Sequence, residues 1–188
     1  MEIFNELIQQ ASEVLTNGGT ILYPTDTIWG IGCDATNESA IRKVYQLKKR
    51  EEKKSMIILI ASIEEIEFYV SNPSKKILAY LSIQAKPTTA IFQNAINLPE
   101  LLSSDGTVAI RIVNDNFCRK LIEKCGVPLV STSANISGEK FPGNFDEITD
   151  EIKKGVDYVV QHRKNDLNIY QPSSIIKLND AGEIEKIR

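Results

Sequence analysis

Apolar positions Phe4, Leu7, Ile8, Ala11, Val14 and Leu15 recur at three- and four-residue intervals. That period predicts an amphipathic helix, which Gly18-Gly19 stops. TILYP (20–24) follows as a buried strand ended by Pro24. From about Glu38 a second amphipathic helix places Ile41, Val44, Tyr45 and Leu47 on one face. SMIILIAS (55–62), the most apolar run of the chain, predicts a central strand. Ser62 and Glu65 form a capping-box pattern for a helix through Val70, and a further helix covers Ser74 to Ile83. Strands are predicted at 88–93 and 106–112. Asn114 or Asp115 then caps a helix ending at Cys125-Gly126, and a strand occupies 127–131. The tail supplies a short helix near 145–153 and strand-like runs at 156–160, 173–178 and 183–187.

Helices and apolar strands alternate along all 188 residues, with no internal repeat and no linker-like shift of composition. The expected architecture is one α/β domain over residues 1–188, with a mixed sheet because the last runs are spaced like hairpins. A hydrophobic share of 42% and a charged share of 25% fit a soluble globular chain. No apolar run has the length of a membrane span. The acidic MEIFNELIQQ start does not resemble a secretory signal, so a cytoplasmic location is expected. The net charge of −3 argues against a protein built to coat nucleic acid. Cys33, Cys118 and Cys125 form no CxxC pair and are expected as free thiols. The single histidine, His162, rules out a multi-histidine metal site and leaves Thr132 or Ser133 without an evident general base. It is expected in a solvated loop, and no metal-ligating residue is assigned.

Three polar clusters carry the candidate chemistry. YPTDTIWGIG (23–32) brings Thr25, Asp26 and Thr27 to a strand end before Gly30 and Gly32. Hydroxyls there can hold an amino or carboxylate group, or Asp26 simply caps its own turn. LKKREEKKS (47–55) gathers Lys48, Lys49, Arg50, Lys53 and Lys54 at a helix end. Such a cluster is either a solvated cationic end that favours the macrodipole or a phosphate clamp. VPLVSTSANISG (127–138) breaks from apolar residues into Ser131, Thr132, Ser133, Asn135 and Ser137, as either a turn or a ligand loop. Arg111 lies within the apolar strand VAIRI, so it faces solvent or a cleft holding a carboxylate. There is no GxGxxG and no GxxxxGK[ST] segment, so a nucleotide would be held in some other way.

These pieces, in this order, resemble the YrdC-like family of threonylcarbamoyl-AMP synthases over nearly the entire chain. YPTDTIWGIG is similar to that family's YPT-[DE]-T-x-x-G-[LI]-G segment, and Lys48-Lys49-Arg50 stands where its K-x-R motif belongs. VAIRI resembles its V-[AG]-[VI]-R strand. PLVSTSANISG resembles its S-x-N loop, and PSSII its P-S-T-[IV] strand. The resemblance implies a twisted, open α/β domain with a large cavity. It also implies a nucleotidyltransferase that condenses L-threonine, bicarbonate and ATP into threonylcarbamoyl-adenylate and pyrophosphate. That product serves the N6-threonylcarbamoyl modification of adenosine 37 in tRNA, completed by a downstream tRNA threonylcarbamoyl transferase.

Carried over by position, Thr25, Arg111, Ser131 and Ser173 would form the threonine side. Lys48 and Arg50 would be catalytic, gripping the ATP phosphates with Lys54. Ser133, Asn135 and Arg188 would hold the nucleotide, and Mg2+ would screen the phosphate charge. Two departures, Ser55-Met56 for a Pro-Leu pair and Gln84-Ala85-Lys86-Pro87 for W-P-G-P, are expected beside the cavity. The ending at Arg188 matches the family's short form. The alternative is a double-stranded RNA or tRNA-binding maturation factor without adenylate-forming activity. Weak tRNA contact is compatible with either reading, and no membrane is.

Overall fold

A computed structural model describes residues 2–52, 54–103 and 105–188. Lys53, one cation of the second cluster, lies outside the described residues. The helices are α1 (Glu2–Thr16), α2 (Glu38–Leu47), α3 (Ile66–Tyr69), α4 (Lys75–Ser82), α5 (Glu100–Ser103), α6 (Asn116–Cys125) and α7 (Asp150–Gly155). The strands are β1 (Ile21–Tyr23), β2 (Gly30–Gly32), β3 (Ile57–Ile60), β4 (Thr88–Gln93), β5 (Thr107–Ile112), β6 (Leu129–Ser133), β7 (Tyr158–Val159), β8 (Ser174–Leu178) and β9 (Ile184–Lys186).

Local side chains start these helices, the one at Asp115 being among those the sequence predicts. Asn37 accepts from the Ala40 N–H ahead of α2, and Asp115 accepts from the Phe117 and Cys118 N–H groups ahead of α6. Gly126, at φ 68°, ends α6 in the left-handed conformation. Glu65 Oε1 accepts from the Ser62 N–H at 2.8 Å, closing the expected box through a 3-10 turn (Ile63–Glu65) into α3.

The strands form one mixed sheet in the order β7-β1-β2-β6-β3-β5-β4-β8-β9. The pairs β1–β7, β3–β5 and β4–β8 are parallel, and the others are antiparallel. The predicted central strand is central: β3 lies between β6 and β5, with Ile58, Leu59 and Ile60 fully buried. Each such side chain contributes about 1.5–3 kcal/mol relative to exposure. Strand alternation sends Ile58, Ile60, Ile110 and Val130 into a core shared with α2 and α4. Leu59 and Leu129 point the other way, into a second core with α1 and α6. Ile57, Ala109, Arg111 and Ser131 share that second face, and a cavity lies over them.

Several expectations shift. The strand placed at 127–131 runs from Leu129 to Ser133, because Ser133 and Thr132 pair with Gly30 and Ile31 of β2. The polar residues thus belong to the strand itself. β2 and α5 were not anticipated, since GIG carries few strand-forming side chains and α5 is a single turn. The helix near 145–153 begins only at Asp150. Asn144 accepts from the Asp146 and Glu147 N–H groups and holds a turn there instead. The run at 156–160 is a strand only at Tyr158–Val159. His162 is half-buried, stacked on the Phe117 ring at 5.3 Å and edge-on to Phe4 at 5.4 Å, rather than solvated. The three cysteines are free. Among the described residues, no helix is long and apolar enough to cross a membrane.

Gly32 is required where β1 meets β2. A Cβ there would lie 2.6 Å from the Tyr23 ring and 2.7 Å from the Val130 carbonyl oxygen. Gly32→Ala should therefore cost about 1–3 kcal/mol from overpacking. Chemical denaturation should show it as a lowered midpoint with unchanged slope, and an unaltered midpoint would refute it.

Candidate functional site

The cavity of about 490 Å3 opens over the part of the sheet that α1 and α6 leave uncovered. β5 contributes Thr107, Ala109 and Arg111, and β6 contributes Ser131, Thr132 and Ser133. The β1–β2 turn supplies Thr27, Ile28 and Trp29, and the start of β8 supplies Pro172 and Ser173. Arg50, Asp105, Phe141 and Arg188 complete much of the wall. The volume falls within the range of about 300–1,000 Å3 usual for small-molecule sites.

Arg111 faces this cavity and is only 4% exposed. Its Nη2 lies 3.1 Å from Asp26 Oδ1, and its Nη1 donates to Thr27 Oγ1 at 3.0 Å. Asp26 Oδ1 meets Arg111 as an ion pair without a hydrogen bond, while Oδ2 accepts from the Asn114 N–H, so Asp26 bridges segments rather than capping its own turn. The Nε of Arg111 is buried without a partner. Thr25 Oγ1 donates to the Ile28 carbonyl at 2.9 Å and contacts Thr27 Oγ1 at 2.9 Å. With its proton on Ile28, Thr25 must accept from Thr27, which in turn accepts from Arg111. Thr25 therefore stands behind Thr27 and does not line the cavity. Thr27 presents the hydroxyl that the sequence assigned to Thr25. Ser131 and Ser173 line the cavity, and Ser173 Oγ pairs with Thr89 Oγ1 at 2.8 Å.

Lys48 and Arg50 diverge because of how α2 ends. Arg50 N–H returns to the Tyr45 carbonyl and Lys49 N–H to that of Gln46, with Lys49 at φ 50°. This Schellman geometry turns the chain sharply, so residues two apart reach different places. Lys48 is 1% exposed, and its Nζ donates to the carbonyls of Ser133 and, at 2.6 Å, Asn135. Ser137 N–H in turn donates to the Lys48 carbonyl at 2.8 Å. Lys48 thus ties down the loop after β6 and does not line the cavity, contrary to a free phosphate-gripping amine. Arg50 does line it, braced by the carbonyls of Lys54 and Ser55. Lys54 is exposed, with Glu51 at 3.6 Å, and lies away from the lining.

Asn135 is likewise turned into its own loop, its Nδ2 donating to the Ile136 and Glu139 carbonyls at 2.8 Å. Ser133 and Arg188 line the cavity, and Arg188 Nε donates to the Ser173 carbonyl. Of the two departures, Ser55-Met56 borders the cavity, whereas Gln84–Pro87 lines a separate cleft of about 150 Å3.

Three arginines and one aspartate line the cavity of a chain whose net charge is −3. Burial, with the nearby Arg111 cation, holds the Arg188 guanidinium below its usual range. Burial and the Arg50 cation push the Lys48 amine down to about 7. Crowded cations beside hydroxyls make a receptor for an anionic or zwitterionic ligand. Among the described residues, no group of three or more His, Cys, Asp or Glu could hold a metal ion. Thr27, Trp29, Asp105, Thr107 and Phe141 were missed as site residues. Only Thr27 carried a signal, its place in the TDT cluster.

The family model Sua5_yciO_yrdC, described as "Telomere recombination", matches residues 13–188. A putative threonylcarbamoyl-AMP synthase of Methanocaldococcus jannaschii is 37% identical over 177 residues, covering 93% of this chain and 82% of the relative. A threonylcarbamoyl-AMP synthase of Hydrogenovibrio crunogenus is 34% identical over 137 residues, covering 70% and 74%. The crystal structure of P. abyssi Sua5 complexed with L-threonine superposes with a TM-score of 0.85 at 23% identity. The match covers 96% of this chain and 53% of that one, so this chain spans about half of the Sua5 chain and the likeness shows the fold alone.

The Lys48 position has a testable pH signature. Its folded pKa of about 7 lies below the unfolded value of about 10.4, so the unfolded state binds more protons between those limits. The burial penalty is complete below about pH 7 and fades as pH rises. Wild type should therefore gain stability relative to Lys48→Met between pH 7 and 10 in urea titrations. A constant difference across that window would refute the assignment.

Proposed function

We propose that this chain, which belongs to the Sua5/YciO/YrdC family, is a threonylcarbamoyl-AMP synthase, as its relatives are named. It is an enzyme that makes threonylcarbamoyl-adenylate and pyrophosphate from L-threonine, bicarbonate and ATP, for threonylcarbamoylation of adenosine 37 in tRNA. The observation that carries the reading is the buried Arg111 guanidinium in the cavity wall, beside Thr27 and with Ser131 and Ser173 in the same lining. An amino-acid carboxylate complements that cation, and the hydroxyls of Thr27, Ser131 and Ser173 suit the remaining polar atoms of threonine.

The reaction needs no protein nucleophile. Bicarbonate and the threonine amine give a carbamate and water, and a carbamate oxygen then forms a bond to the α-phosphorus while the bond to pyrophosphate breaks. The protein's share is positioning and charge stabilisation. Arg50 and Arg188 neutralise the phosphates as negative charge moves to the leaving group. Ser133 stands at the nucleotide side, on a strand end that Lys48 and Asn135 hold in shape through backbone carbonyls. Lys48 and Asn135 thus serve this reaction by positioning the loop.

Asp105 is the one carboxylate side chain in the lining among the described residues, and its Oδ1 already accepts from the Thr107 N–H and hydroxyl. Those residues fit a Mg2+ held chiefly by phosphate oxygens and water, with Asp105 nearby, where it would screen the triphosphate charge. The product passes to a separate transferase that modifies tRNA. The RNA-binding alternative is not favoured, because a cavity of about 490 Å3 with a buried arginine suits a small anion better than a duplex.

Mixing the protein with ATP, magnesium, bicarbonate and individual amino acids should yield a threonine-dependent adenylate by mass. Its absence would overturn the assignment. Arg50→Ala should lower threonine-dependent pyrophosphate release at least about tenfold, as loss of a charged transition-state contact does. Arg111→Lys, which keeps a cation beside Asp26, should chiefly raise the threonine KM. Unchanged kinetics in either variant would remove that residue from the mechanism.

A further inference from the structure

The segment joining β7 to β8 adopts no regular helix or strand, yet one residue in it pays a backbone penalty. Arg163 sits at φ 56°, the left-handed region that favours glycine and asparagine. Its side chain accounts for the choice. Nη1 donates to the Thr25 carbonyl at 3.0 Å, while Nε and Nη2 face Asp166 Oδ2 at 3.4 Å. The guanidinium lies over the Tyr170 ring at 4.7 Å, and the Tyr170 hydroxyl donates to the same Asp166 oxygen at 2.8 Å. The neighbouring His162 is pinned between Phe4 and Phe117, which fixes the root of the segment to α1 and α6.

We infer that Arg163 is a positioning residue for the amino-acid side of the cavity. It supplies the one described side-chain hydrogen bond between this segment and the β1–β2 turn. The segment ends in Pro172 and Ser173, and the turn carries Thr27 and Ile28, all of them in the cavity wall. Arg163 itself does not line the cavity and acts through Thr25. Anchoring the Thr25 carbonyl sets the hydroxyl chain from Thr25 to Thr27 to Arg111, and with it the direction of the Arg111 guanidinium. Arg50 is braced independently by the carbonyls of Lys54 and Ser55. The strut therefore acts first on the amino-acid side; on the phosphate side it reaches only Arg188, through the Ser173 carbonyl, and leaves Arg50 alone. The substrate named here rests on the proposed threonine reading; the mechanical link does not.

Arg163→Gly tests this, because glycine relieves the backbone at φ 56° while removing the strut together with the Asp166 and Tyr170 contacts of the same side chain. Asp166 is left half-exposed and solvated. The threonine KM should rise by roughly tenfold, the scale of one lost charged hydrogen bond, with a clearly smaller rise in the ATP KM. The Thr27 amide, which donates to Thr25 Oγ1 at 3.0 Å, should exchange faster with solvent deuterium. Arg163→Lys, which can still reach the carbonyl with one donor, should recover part of both effects. An equal rise in both KM values, or unchanged Thr27 exchange, would overturn the inference. Should the wild-type protein form no adenylate, the reaction reading falls. The Thr27 exchange rate then decides the strut alone.

Discussion

Placing a guanidinium in the middle of β5 with 4% of its surface exposed is the constraint around which this site is built. The effective cost of taking such an ion out of water is several kcal/mol, and it is tolerated only where partners replace the lost hydration. Asp26 and Thr27 supply two of those partners from a turn far away in sequence. Their placement requires β1 and β2 to pair at one register, which in turn requires Gly32 beneath the Tyr23 ring. Even so the pairing is incomplete, because the Nε of Arg111 has no protein partner. Stability and ligand affinity meet at this side chain, since the cation that the fold must compensate also lines the cavity.

The second organising element is the end of α2. A Schellman turn normally takes glycine at its left-handed position, and here Lys49 occupies it. The turn separates Lys48 from Arg50, burying one and leaving the other in the cavity wall. Lys48 then reaches across to the carbonyls that follow β6, and Ser137 returns a bond to its own carbonyl. Helix end and loop form one unit with the arginine as its exposed part. A K-x-R spacing looks like two equal phosphate ligands, yet the fold gives the two cations different work.

Much of the architecture was legible in the chain. The 3.6-residue period located α1, α2 and α6, Asp115 located the start of α6, and SMIILIAS identified the central strand. β2 was not legible, because a Gly-Ile-Gly strand has almost no side-chain signal and exists by pairing with β1 and β6. The same pairing drew Ser131 to Ser133 into β6, where a change from apolar to polar residues reads locally as a strand end. Asn144 shows the converse, a short-range turn that overrides a helical pattern until Asp150.

For the site, residue types and their order along the chain determined the family, the three polar clusters and the presence of Arg111 in an apolar strand. Those are properties of short segments, and local chemistry preserves them. Only the tertiary structure decided which polar atoms face the cavity. Thr27 is presented and Thr25 is held behind it; Arg50 is presented, while Lys48 and Asn135 are tied to backbone carbonyls. The reason is that a hydroxyl, amine or amide has a limited number of hydrogen bonds to make. Whether a ligand receives them depends on partners more than 80 residues away for Lys48 and Arg111.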